Sequence, residues 1–156
     1  MKPLVQSKHN IDQNQQTLFG HSLGGLFTLH VLFQHPTAFQ TYVASSPSIW
    51  WNDKSIQKEE DLFVKSLYGL ALKARLHINV GGLEQQPQPG EPPARAQMLK
   101  ANRMVDNARE MAARLEAANH AGLTASFTLN EGENHGSVIP LAINQTLRFA
   151  LEKKTK

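Results

Sequence analysis

A serine on a tight turn, a carboxylate further along and a histidine beyond it are the parts needed for nucleophilic attack on a carbonyl carbon. This chain carries them in that order. The serine is Ser22, within Gly20-His21-Ser22-Leu23-Gly24, a Gly-x-Ser-x-Gly pattern. Gln15 to Phe19 before it reads as a short strand, and Leu23 to Gln34 after it as an apolar helix. Ser22 therefore falls on a strand-to-helix turn, the nucleophile elbow. Side chains beside so sharp a turn would collide. Gly20 and Gly24 are expected to supply the room, and glycine tolerates backbone angles closed to other residues. The helix start behind Ser22 offers free N–H groups that can stabilise developing negative charge, with Leu23 the first such donor.

A serine hydroxyl is a poor nucleophile at neutral pH and needs a base to take its proton. His135, in Glu131-Gly132-Glu133-Asn134-His135-Gly136-Ser137 after the last expected strand, occupies the loop where a base belongs in the order serine, acid, histidine. Glu84 lies just past the strand that ends at Val80, where a carboxylate would accept a hydrogen bond from the far ring nitrogen of His135. The other reading of Glu84 is a solvated loop residue. Glu131 and Glu133 are alternatives, but they sit too near His135 in sequence to reach behind its ring. His21 neighbours Ser22 and should point away from it, which suits packing or a supporting hydrogen bond better than a base. Trp50 and Trp51, in Ser46-Pro47-Ser48-Ile49-Trp50-Trp51-Asn52, follow the strand next to the elbow. They form either a substrate wall or a plug over the core. His9, His30, His35, His77 and His120 have no evident partner, and none of the histidines falls in a metal-ligand spacing, so no metal is expected.

The elements that must position these residues follow from pattern. Phe39 to Ala44 reads as the second strand, Asp53 to Leu67 as a polar helical insertion, and Ala74 to Val80 as a strand leading into Gly81-Gly82. Gln85 to Pro93 is proline-rich and cannot join a sheet interior. Ala94 to Asn119 is expected as one long helix, with Met98, Ala101, Met104, Val105, Ala108, Met111, Ala112 and Leu115 on one face and Gly122 as a left-handed cap. Leu123 to Leu129 and Ile139 to Glu152 complete the chain as strand and helix. His35-Pro36 should end the helix after the elbow. Strands alternating with helices predict an α/β fold with a mainly parallel sheet of four strands.

The chain has 156 residues, a net charge of +3, 40% hydrophobic and 19% charged residues. Those values suit one soluble domain with a real core. Lys153, Lys154 and Lys156 form the one basic cluster, read as a solvated helix end rather than a nucleic-acid site. Neither a membrane span nor a secretory signal is expected. Cysteine is absent, which excludes thiolate chemistry and leaves cytoplasm and periplasm both open.

Gly20-His21-Ser22-Leu23-Gly24-Gly25-Leu26-Phe27, Ser45-Ser46-Pro47-Ser48-Ile49-Trp50-Trp51 and Glu133-Asn134-His135-Gly136-Ser137 together resemble the esterases of the α/β-hydrolase superfamily. The resemblance is nearest to the branch holding siderophore esterases that cut enterobactin, salmochelin and bacillibactin trilactones. It implies a cofactor-free serine esterase with Ser22 as nucleophile, His135 as base and a small-molecule ester as substrate. Some members of that branch are expected to work with a Ser–His dyad, without the acid. The resemblance also implies that this chain, residues 1–156, is the C-terminal half of the fold, because the family's sheet has further strands before the elbow strand. Two expectations follow. One oxyanion donor, from the earlier half, would be missing, which typically costs about 10²–10³ in rate. The elbow strand would have a bare edge prone to self-association. An impaired fragment and a related acyltransferase are the competing functional readings.

Overall fold

The computed structural model describes residues 2–152; the Lys153, Lys154 and Lys156 tail lies outside them. After a short helix α1 (Lys2–Gln6), the chain runs β1 (Thr17–His21), α2 (Leu23–Gln34), β2 (Thr41–Ser45), a helical turn α3 (Trp51–Lys54), α4 (Ile56–Ser66), β3 (Ala74–Gly81), α5 (Pro93–Asn102), α6 (Met104–Ala117), β4 (Leu123–Asn130) and α7 (Val138–Leu151). Among the described residues one sheet forms, in the order β1-β2-β3-β4, with every pair parallel. Parallel neighbours need crossovers, and the helices between strands supply them.

Register sets which side chains share a face. Leu18, Tyr42, Leu76, Ile78 and Phe127 fall on one face, and this face joins the core built by α2, α4 and α6. Phe33 of α2 meets Phe63 of α4 with ring centroids 5.3 Å apart. The opposite face carries Val43, Arg75, His77 and Asn79, and α7 lies across it with Val138 and Ala142 buried. β2 is buried throughout, whereas β1 and β4, at the edges, are only partly so. That gradient is what a parallel sheet covered on both faces should show. α2 ends at Gln34, ahead of His35-Pro36, as the proline requires.

Two local expectations are corrected. The long helix over Ala94 to Asn119 is two helices, broken at Arg103, which takes left-handed angles (φ 46°, ψ 44°). The apolar periodicity runs through the break, but only α6 packs on the sheet: it buries Met104, Val105, Ala108, Met111, Ala112 and Leu115, while α5 buries nothing. Arg103 ties the new helix start through Asp106 and Glu110. Gly122 is not the left-handed cap; Asn119 takes that conformation (φ 46°). Glycine is required at 122 because a Cβ there would overlap the Leu72 carbonyl. α2 is apolar nearly all round yet not wholly covered, since Leu23 and Phe27 stay more than half exposed.

Candidate active site

Every strand of a parallel sheet points its carboxyl end the same way, so the segments leaving β1, β2, β3 and β4 meet along one rim. Ser22 leaves β1 there. Its backbone takes φ 60°, ψ −121°, so the turn's strain sits on the serine itself. The Ser22 N–H donates to the Ser45 carbonyl at 3.0 Å, and the Ser22 carbonyl accepts from Leu26 N–H at 3.0 Å and Ser48 N–H at 3.2 Å. These bonds over-determine the strained residue. Gly20 provides the room expected of it, because a Cβ there would overlap the Gly24 carbonyl. Gly24 does not, for a Cβ there would meet nothing; the second crowded position is Gly25, where a Cβ would lie 2.8 Å from the Ser45 carbonyl oxygen. Leu23 opens α2, and its N–H belongs to the first turn, which has no intrahelical acceptor.

The three polar side chains converge. His135 Nε2 lies 3.0 Å from Ser22 Oγ, and its Nδ1 lies 2.6 Å from Glu84 Oε2. A carboxylate can only accept, so Nδ1 carries the proton and Nε2 is left to accept from the serine hydroxyl. Glu84 is buried rather than solvated, 2% exposed. Its other oxygen accepts from the Ser46 hydroxyl at 2.5 Å and from Gly81 N–H at 2.7 Å. Those donors satisfy a group that would be costly to bury unpaired. Gly81 permits this approach, since a Cβ there would lie 2.9 Å from Glu84 Oε1 and would overlap the Glu133 carbonyl.

The His135 loop is shaped by Asn134, whose Oδ1 accepts from Gly136 N–H at 2.9 Å and Ser137 N–H at 3.0 Å, while its own N–H donates to Ser137 Oγ. Among the described contacts neither the Glu131 nor the Glu133 carboxylate reaches the imidazole. His21 points away from Ser22 Oγ: its Nδ1 lies 3.2 Å from Ser45 Oγ, and its ring centroid lies 4.6 Å from that of His135. Burial holds the His21 imidazole below its usual pKa and the adjacent His135 adds to this, while Glu84 and a hydrogen bond to the His135 backbone pull the other way.

A cavity of about 250 Å³ opens beside Ser22 and His135. Trp50, Met98, Leu99 and Met104 give it apolar walls, with Arg95 and Asn102 as polar points. The two tryptophans part company. Trp50 lines this cavity, but Trp51 lies over α2 in a separate depression with Leu26 and Phe27. Sequence reasoning missed Ser46 and the α5 side chains. Ser46 stands in the Ser45 to Trp51 segment, where nothing marks it as a donor to Glu84, and Met98 reads as core on the periodicity alone. The remaining histidines with described partners are structural: His30 meets Glu59, His77 meets Ser126, and His120 accepts from Gly122 N–H.

Comparison with known proteins finds relatives over nearly the whole chain. The chain is 43% identical over 155 residues to the "Ferri-bacillibactin esterase BesA" of Bacillus subtilis (strain 168), covering 97% of this chain and 48% of that protein. It is 35% identical over 163 residues to the "Siderophore enterobactin esterase" of Emericella nidulans, covering 96% and 52%. Among solved structures, the siderophore hydrolase EstA from Aspergillus nidulans superposes with a TM-score of 0.85 at 34% identity, over 96% of this chain and 52% of that one. The BES protein from Bacillus cereus gives 0.81 at 39% identity, over 97% and 52%. The chain thus spans about half the length of the curated relatives it matches. A family model described as "Putative esterase" matches residues 1–136, and on that match, with the fold seen in its structural neighbours, the chain belongs to this esterase family of α/β-hydrolase architecture.

Proposed function

We propose that the chain hydrolyses carboxylic esters, with siderophore lactones as the substrate class, through Ser22 as nucleophile, His135 as base and Glu84 as the orienting acid. The observation that carries this reading is the continuous hydrogen-bonded line from Glu84 Oε2 through the His135 ring to Ser22 Oγ, at 2.6 and 3.0 Å. Ester relatives named for siderophores supply the substrate class. Any iron then belongs to the substrate.

As Ser22 Oγ attacks the ester carbonyl carbon, its proton passes to His135 Nε2, and the imidazolium is stabilised by Glu84 across Nδ1–H. The carbonyl oxygen becomes an oxyanion facing the N-terminus of α2, where the Leu23 N–H donates to it. Collapse expels the alkoxide, which takes the proton from His135, and an acyl-serine remains. Water then attacks the acyl carbon, giving its proton to His135; the second collapse returns that proton to Ser22 Oγ and frees the acid. Trp50 and the methionines of α5 and α6 offer an apolar wall for the ester's flanking group.

The test is labelling with a fluorophosphonate together with turnover of bacillibactin trilactone. Wild type should label, and Ser22→Ala should neither label nor turn over; equal labelling of the two proteins would end the assignment.

A further inference from the structure

Two hydrogen bonds do not fix a ring. His135 is held at Nδ1 by Glu84 and at Nε2 by Ser22, and rotation about the line through those nitrogens would leave both bonds near their lengths while swinging the ring plane. What limits such rocking is whatever lies against the ring's face. The His135 side chain is 47% exposed, on a loop containing Gly132 at φ 76° and Gly136. Packing there is thin.

His21 supplies the face. Its ring lies against that of His135, centroids 4.6 Å apart and planes inclined at 41°. His21 is itself anchored. Its Nδ1 meets the hydroxyl of Ser45, a fully buried residue of β2 that is its register partner. That bond ties the end of β1 to β2 and sets the His21 ring beside the His135 loop. The ionisable groups facing it are His135 and Glu84, and burial favours its neutral form, so it does not place a second cation beside His135 when that ring becomes imidazolium.

We infer that His21 is a positioning residue: its ring holds the plane of the His135 imidazole so that Nε2 stays aligned with Ser22 Oγ through both proton transfers. The inference rests on the proposed roles of Ser22 and His135. Misalignment of a reacting pair by a fraction of its contact distance is paid in kcat, not in binding, so the effect should appear in turnover alone.

Wild type, His21→Ala, His21→Phe and His21→Gln are compared by steady-state hydrolysis of a p-nitrophenyl ester and by the rate of fluorophosphonate labelling, with thermal unfolding as the folding control. Ala removes the ring, Gln keeps a polar reach toward Ser45 without a ring, and Phe keeps the ring without the polar reach. His21→Ala and His21→Gln should lose about ten- to a hundredfold in kcat and in labelling rate with KM within about twofold, and His21→Phe should recover most of the loss. Should His21→Ala fail to fold, the contrast between Gln and Phe decides. Wild-type kcat in the ringless variants, an equal loss in Phe and Gln, or a change confined to KM overturns the positioning role. A wild type that takes no label at Ser22 would instead overturn the esterase reading on which it rests.

Discussion

Around Glu84 the fold gathers donors from three segments: the Ser46 hydroxyl after β2, the Gly81 N–H at the end of β3, and His135 Nδ1 from the loop after β4. A carboxylate only accepts, so it fixes the imidazole tautomer as well as its place. Glutamine at this position would fill the same volume and could still accept from Ser46 and Gly81 through its carbonyl. Its amide NH₂ would then face Nδ1 and force the proton onto Nε2, the nitrogen that must accept from Ser22. Glu84→Gln should therefore fold with an unfolding temperature near that of wild type and lose about 10²–10⁴ in kcat, with KM little changed. Steady-state kinetics with a p-nitrophenyl ester checks this, and a loss below about tenfold would mean a Ser–His dyad suffices. The serine and histidine were legible in the sequence because each stands in a turn whose chemistry is local. Glu84 was legible only as a position after a strand; its burial depends on Ser46, Gly81 and the Glu133 backbone, all brought together by tertiary pairing.

Among the elements, α3 stands out for its backbone. Asn52 (φ 49°, ψ 54°), Asp53 (φ 49°, ψ 40°) and Lys54 (φ 59°) are successive left-handed residues, none of them glycine. Such angles cost roughly 1–2 kcal/mol per residue. The turn follows directly on the point where Trp50 goes to the Ser22 cavity and Trp51 to the depression over α2, so the strain sits where the chain must aim two adjacent rings apart. Asp53 is exposed and makes no described side-chain hydrogen bond. Asp53→Gly relieves its share of the strain, partly offset by the greater freedom of glycine in the unfolded chain, for a net gain of about 1 kcal/mol. Urea unfolding measures it, and a lower midpoint in the variant would refute the strain argument. The same contrast explains what pattern reading could reach. Of the helices packed on the sheet, α2 is visible as an apolar run and α6 as apolar periodicity. The break at Arg103 is not, because Met98 repeats in phase with the buried stripe of α6 while facing a cavity rather than the core.

At the scale of the described residues as a whole, β1 forms one edge of the sheet. Among the described residues β1 pairs with β2 alone, and the Thr41 N–H donates to the Gln16 carbonyl. Alternation along a parallel ladder then turns the backbone groups of Leu18 and Gly20 toward β2 and those of Thr17 and Phe19 outward. A row of unpaired donors and acceptors beside buried strands is a template for another strand. Leu23 and Phe27, exposed on the helix that covers β1, add apolar area next to it. We propose that two copies of this chain associate through the β1 edge, which would run the chain at twice its 17.4 kDa in light scattering coupled to size exclusion. Thr17→Pro discriminates between this edge and the other apolar surfaces. Proline at the first position of an edge strand removes an outward N–H without breaking a bond to β2. The variant should therefore shift toward the mass of one chain while the Leu23 and Phe27 surface stays unchanged. Association that survives Thr17→Pro but is lost in Phe27→Lys would assign the contact to α2 instead, and a wild type that runs as a single chain at every concentration would remove the edge from consideration.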